Sequence, residues 1–244
     1  MTVTPDGIGR AAHDSQRVLP ADVAAVLYAR LRRELGSGVV LDVGAGSGVV
    51  GSQLGDRVVL TDVVDWRSVP LPFVRADAAA LPFRPGCCSG VHLARVLHHV
   101  ADWRAVLRET VRVLRPDGAL CLSLGDRPVV DSLRELADRA VDLAQRCGLS
   151  EAPVNGPDPA GADELVAGLG LGVTEFECGG DVLVTPREVL TGVLGNPFRW
   201  LPGTDLGVVP GIVAEVLAAA GVDPDAPVSR DRTVRYRIFR AADR

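Results

Sequence analysis

An apolar run broken by a single acid, Val39-Val40-Leu41-Asp42-Val43, is followed at once by Gly44, Gly46 and Gly48, and then by Val49-Val50-Gly51. A run this short and this β-branched reads as a parallel strand covered on both faces. Glycine turns the chain through positive φ at no steric cost and leaves bare amides open to a ligand. Strand, glycine turn and helix start together predict a nucleotide-type cradle, with N–H groups aimed out of a helix N-terminus.

Two ligand classes fit such a cradle. A dinucleotide site needs Gly-x-Gly-x-x-Gly directly after the strand. Counted from Gly44 the last position is Val49; counted from Gly46 the pattern ends correctly on Gly51 but starts too late. Asp42, just ahead of the turn, repels a pyrophosphate and attracts a cationic ligand. Two further acids follow in order. Arg57-Val58-Val59-Leu60-Thr61-Asp62 reads as a second strand, and its terminal carboxylate can accept from both hydroxyls of a ribose. Asp77 lies in Val74–Phe83. A third block, Val91–Trp103, reads as a fourth strand running into a His98-His99 turn. The amphipathic helix after it carries Leu107, Val111 and Leu114 at helical spacing. Pro116-Asp117-Gly118 is a turn signal, and Ala119–Leu124 is a fifth strand.

The segment Asp-x-Gly-x-Gly-x-Gly at 42–48 resembles motif I of the class I S-adenosylmethionine-dependent methyltransferases. Over roughly residues 39–124 the chain is most similar to the small-molecule branch of that family. The resemblance implies an α/β, Rossmann-like, seven-stranded mostly parallel sheet with an antiparallel last strand, helices on both faces and a helical lid insertion. It implies S-adenosylmethionine as cofactor, contacted by Asp42, Gly44, Ala45, Gly46, Asp62, Val63, Asp77 and Ala78, with Arg17 and Arg95 available to its carboxylate. It places His98 and His99 near the methionine end, as candidate general bases. Two departures concern the acceptor side: Cys88-Ser89 stands where the family has a Phe-Asp pair, and Arg95 stands where a small or aromatic residue is usual.

The net charge of −5, with no basic run, argues against nucleic acid as partner. Every basic residue is Arg, which excludes Schiff-base chemistry and a P-loop lysine. The five cysteines have no metal-ligand spacing, and their odd, scattered placement suggests a reducing cytoplasm. No apolar run is long enough to span a bilayer. His98, His99 and Asp102 are suitable metal ligands by type, with His98 and Asp102 at i, i+4 on a helix, but no third ligand is identifiable, so no metal is expected.

Along the chain, a single methyltransferase domain of 1–244 is expected, with an N-terminal helical segment over 1–36 and a cofactor-binding core over 37–178. A substrate lid is expected over 185–225. Helices are predicted at Ala21–Leu35, Asp131–Cys147 and Asp163–Gly168, with Ser150–Gly161 a loop. Thr185-Pro186-Arg187-Glu188 is a capping-box start to a pair of helices between the sixth strand and the last, Thr233–Phe239. Phe198 and Trp200 suit an apolar acceptor pocket. The expectation is a methyltransferase for a small, secondary-metabolite-like acceptor, methylating O, N or C, working as a monomer or homodimer. The alternative is a cofactor-binding relative that catalyses another reaction, such as a cyclisation, or serves as a binding module. A nicotinamide oxidoreductase is disfavoured by the glycine register.

Overall fold

The computed structural model describes residues 19–125, 131–150, 157–195, 200–201 and 204–241. The elements are α1 (Ala21–Leu35), β1 (Val40–Val43), β2 (Val58–Asp62), β3 (Phe73–Arg75), β4 (Cys88–Ala94), α2 (Trp103–Val113) and β5 (Leu114–Ser123). They continue with α3 (Ser132–Arg146), α4 (Pro159–Gly168), β6 (Leu171–Val184), α5 (Pro186–Leu194), α6 (Val209–Ala220) and β7 (Val228–Ala241). Short 3-10 turns lie at Gly51–Gln53, Leu97–His99 and Leu206–Val208.

The strands form one seven-stranded sheet in the order β3-β2-β1-β4-β5-β7-β6. β1 to β5 pair in parallel, and β7 runs antiparallel to β5. This is the expected architecture. Side chains alternate across the pleat. Leu41, Val43, Val91, Leu93, Leu120, Leu122 and Phe239 share a core with Val106 and Leu107 of α2 and Val166 of α4. The register sets Leu60, Asp42, His92, Cys121 and Ile238 side by side across five strands. Next to that row, a Cβ on Gly90 would sit 2.7 Å from Leu35 of α1, so only glycine lets α1 lie that close to β4.

The molecule divides into two compact units. One holds Ala21–Asp126, Val154–Cys178 and Thr233–Arg244; the other holds Arg127–Pro153 and Gly179–Arg232. In the second, α3, α5 and α6 bury a common core of Leu133, Leu136, Ala140, Leu190, Leu194, Val213 and Leu217. The helix expected inside the cofactor core, α3, therefore packs with the insertion between β6 and β7.

Several local expectations change. After the glycine turn there is only the 3-10 turn Gly51–Gln53, not a helix. Leu54, Gly55 and Asp56 leave too few residues before β2 for even two α-turns. α4 begins at Pro159, inside the stretch read as loop: Asp158 caps it by accepting from Gly161 N at 2.6 Å, with Pro159 in the first turn. β4 begins at Cys88 and β5 at Leu114. The Pro116-Asp117-Gly118 turn lies within β5 as an excursion, because Cys88 pairs with Leu114 but Gly90 with Ala119. α5 carries the expected capping box, with Glu188 N donating to Thr185 Oγ1 and Thr185 N to Glu188 Oε2. Trp200 is buried among the helices, its indole N–H donating to Leu194 O at 2.5 Å, so it belongs to that core rather than to an open pocket wall. Phe198 lies outside the described residues.

Candidate functional site at the carboxyl ends of β1, β2 and β4

In an open parallel sheet, ligands bind beyond the carboxyl ends of the strands, where the strand order reverses. Here that reversal lies between β1 and β4, and the glycine turn is located there. Gly44, Gly46 and Gly48 have φ of 68°, 58° and 78°. The amides of Gly44 and Ala45 both donate to Thr61 O, at 2.8 and 3.0 Å, which folds the turn over the end of β2. At Gly44 the need for glycine is double. The φ is left-handed, and a Cβ would meet Val96 Cγ2 at 2.3 Å.

Asp62 ends β2 and is half-buried. Its Oδ2 accepts from Gly46 N at 2.9 Å and its Oδ1 from Val63 N at 2.7 Å. Two amides from different segments thus fix the carboxylate plane. Each oxygen retains acceptor capacity, which suits a vicinal diol. Val63 is exposed beside it. The segment after Asp62 is tied back to the glycine turn, since Ser68 N donates to Ser47 O at 2.7 Å.

Asp77 is exposed in the loop after β3, and its Oδ1 accepts from Ala79 N at 2.8 Å. Ala78 packs against the main core. What holds this loop was not read from the sequence. On α2, Arg112 donates to Leu81 O at 3.0 Å and to Phe83 O at 2.9 Å, while Glu109 accepts from Leu81 N at 2.9 Å. Arg112 and Glu109 are themselves paired at 2.6 Å. The hydrogen bond from Arg112 holds the Glu109 carboxyl below its ordinary range, with the Leu81 amide adding to the effect. The i, i+3 spacing of Glu109 and Arg112 was the available signal, but spacing predicts the pair and not the loop it grips.

Asp42 is buried in mid-sheet. Its Oδ1 accepts from His92 Nδ1 at 2.7 Å, and His92 Nε2 meets the Tyr236 hydroxyl at 2.9 Å. His92 lies within β4 and is buried. Tyr236 was not singled out in the sequence. Its signal was a polar-tipped aromatic on an alternating strand, which needs a partner when buried. Burial pushes the Tyr236 hydroxyl well above its ordinary range, so it remains a donor.

Arg95, one residue past β4, is the non-glycine residue with left-handed backbone among those described, at φ 59°. Its amide donates to Ser123 O at 2.9 Å. A non-glycine residue held there stores strain of about 1–2 kcal/mol, a feature concentrated at ligand sites. His98 and His99 form the 3-10 turn that follows, rings 3.9 Å apart, with His98 half-buried and His99 exposed. The expected shared helix for His98 and Asp102 is absent: Val100 is extended and Asp102 caps α2, accepting from Ala105 N at 2.9 Å. Among the described residues no group of three or more His, Cys, Asp or Glu could hold a metal ion. Arg17 lies outside the described residues. All five cysteines are free thiols. Burial pushes the Cys88 thiol up to about 12, and its neighbour Cys87 adds to the effect, so Cys88 is no nucleophile at neutral pH.

Residues 41–122 match the family described as a methyltransferase domain. A demethylmenaquinone methyltransferase of Corynebacterium urealyticum is 32% identical over 112 residues, covering 41% of this chain and 48% of the relative. The chain thus spans about half the length of that curated relative. The YcgJ protein of Bacillus subtilis superposes with a TM-score of 0.59 at 14% identity, over 92% of this chain and 100% of that one. The [4+2]-cyclase SpnF superposes with a TM-score of 0.53 at 15% identity, over 93% of this chain and 84% of that one. Among the described residues no helix is long and apolar enough to cross a membrane. Over residues 41–122 the chain is similar to the methyltransferase-domain family, and over most of its length it shares the fold of YcgJ and SpnF.

Proposed function

We propose that this chain binds S-adenosylmethionine at the glycine turn and transfers its methyl group to a small, largely apolar acceptor of secondary-metabolite type. The observation that carries the reading is the Asp62 carboxylate, oriented by Gly46 N and Val63 N at the end of β2 beside three left-handed glycines. That donor set fits an adenosyl ligand. It offers a fixed diol acceptor at Asp62, an apolar neighbour in Val63 and a second acceptor at Asp77. It offers no basic side chain from the turn itself for a phosphate. Gly44, Ala45, Gly46 and Ala78 would supply the walls, and Arg95, with Arg17, the partner for the carboxylate.

When bound, the cofactor supplies an electrophilic methyl group on a positively charged sulfur, which leaves as a neutral thioether. The chain's task is then alignment, exclusion of water and removal of one proton from the acceptor. His98 is proposed for the proton, with His99 beside it, because both sit in the turn that follows β4 and Arg95. The helical segment 185–225 is proposed to select the acceptor. The curated relative's name supports a small acceptor, and the −5 net charge disfavours nucleic acid. Five free thiols support a reducing compartment.

The test is calorimetry with S-adenosylmethionine, followed by incubation with methyl-labelled cofactor and a panel of hydroquinone and phenolic acceptors. Saturable binding that Asp62→Ala abolishes, with label entering product, is the expected result. Turnover that persists with S-adenosylhomocysteine would instead favour the second reading, a retained cofactor in a cyclisation or similar reaction. The likeness in fold to a cyclase makes that arm worth running.

A further inference from the structure

One oxygen of Asp42 is used and the other is not. The residue is 3% exposed, and Oδ1 takes the hydrogen bond from His92. Oδ2 is buried with no hydrogen-bond partner. It lies against the glycine turn, since a Cβ on Gly51 would come within 2.7 Å of it. A buried carboxylate oxygen left without a donor costs about 1–3 kcal/mol, and such orphans in a folded protein call for a ligand, a water or a stored strain.

The fold holds this oxygen in place with unusual thoroughness. Both nitrogens of the His92 ring are engaged, one by Asp42 and one by Tyr236. His92 is 2% and Tyr236 4% exposed. With the Tyr236 hydroxyl donating to Nε2, Nδ1 carries the hydrogen that points at Asp42. Rotating the ring would break both bonds. Tyr236 is in turn fixed by stacking on Phe176, with ring centroids 5.6 Å apart and planes 11° from parallel. The chain of contacts runs from β7 through β4 to β1 and stops at the oxygen under the turn.

We propose that Tyr236 and His92 are positioning residues for the ligand site. They hold the Asp42 carboxylate so that Oδ2 stays turned toward Gly44–Gly51, where it accepts from the cationic end of the ligand directly or through one water. The proposal rests on the reading that S-adenosylmethionine binds the turn. Metal sites show the same logic: a partner that orients a ligating group affects affinity by about 10–100-fold without touching the metal.

The test uses the full chain, with S-adenosylmethionine as the probe in calorimetry. His92→Leu fills the ring's space but removes the donor, and is expected to weaken binding about tenfold. His92→Asn keeps an N–H toward Asp42 and is expected to bind more tightly than His92→Leu. If His92 only filled space, the order would reverse, because Leu is nearer in volume and needs no partner, and that order overturns the proposal. Tyr236→Phe keeps the ring and its stacking and loses only the hydroxyl. It is expected to weaken binding about threefold and to disturb the His92 tautomer in long-range proton–nitrogen spectra. Should His92→Leu fail to fold, Tyr236→Phe alone decides: unchanged affinity and an unchanged spectrum reject the relay. A wild-type chain that gives no binding heat rejects the cofactor reading itself, whereas a binding wild type matched by all three variants rejects only the relay.

Discussion

The backbone amide of Gly46 donates to the carboxylate of Asp62 at 2.9 Å, joining the turn after β1 to the end of β2. The acid is therefore both part of the fold and the candidate ribose acceptor. Asp62→Ala removes the link and should cost about 1–2 kcal/mol of stability. It should also erase the rise in melting temperature on adding S-adenosylmethionine. A variant that melts lower yet keeps the ligand-induced rise would show that Asp62 serves structure alone.

Gly44→Ala faces two penalties at one site, a left-handed φ of 68° and a contact with Val96 Cγ2 at 2.3 Å. The expected loss is about 2–4 kcal/mol by chemical denaturation. Val96→Ala in the same chain should recover part of it, by removing the steric term and leaving the backbone term. Full recovery would mean that the backbone strain had been overestimated.

Arg112→Leu releases Leu81 O and Phe83 O and leaves Glu109 with its amide partner only. We expect a loss of about 1–2 kcal/mol at neutral pH, since both side chains are partly exposed. The pH dependence has a definite sign. The Glu109 carboxyl is held below its ordinary value of 4.5, so the pair's contribution is complete above that pH and fades as pH falls through the lower folded value. Wild type and variant should differ most near neutrality and less in acid, where only the bonds to Leu81 O and Phe83 O still separate them. Because the loop carries Asp77, cofactor affinity should weaken as well.

Leu190 is fully buried in the helical unit with α3 and α6. Leu190→Ala should cost about 2–5 kcal/mol there. On the proposed division of labour, acceptor turnover falls while calorimetric affinity for the cofactor changes little. An equal drop in both would argue against acceptor selection by the helical segment.

The glycine turn and the acid that ends β2 were legible because each is set by its immediate neighbours: a covered strand, then positive φ, then a terminal carboxylate. The capping box at Thr185 and Glu188 was legible for the same reason. Long-range partnerships were not. His92 meets Asp42 across 50 residues and Tyr236 across 144, and nothing in local pattern encodes such distances. The allegiance of α3 was hidden for a related reason: its apolar stripe says that it packs, not against what. The start of α4 was missed at Asp158-Pro159, where proline at a first helical turn looked like another loop proline.

The brevity of the turn at Gly51–Gln53 bears on selectivity among the nucleotides of a cell. A full helix would gather aligned peptide dipoles into a half-charge at its amino end, and that half-charge is what draws phosphates. One 3-10 turn gathers almost none, and the Asp42 carboxylate lies beneath it. A polyphosphate therefore gains little from a helix dipole at this turn. A ligand that brings no phosphate, as the proposed cofactor does, forgoes nothing at a turn this short.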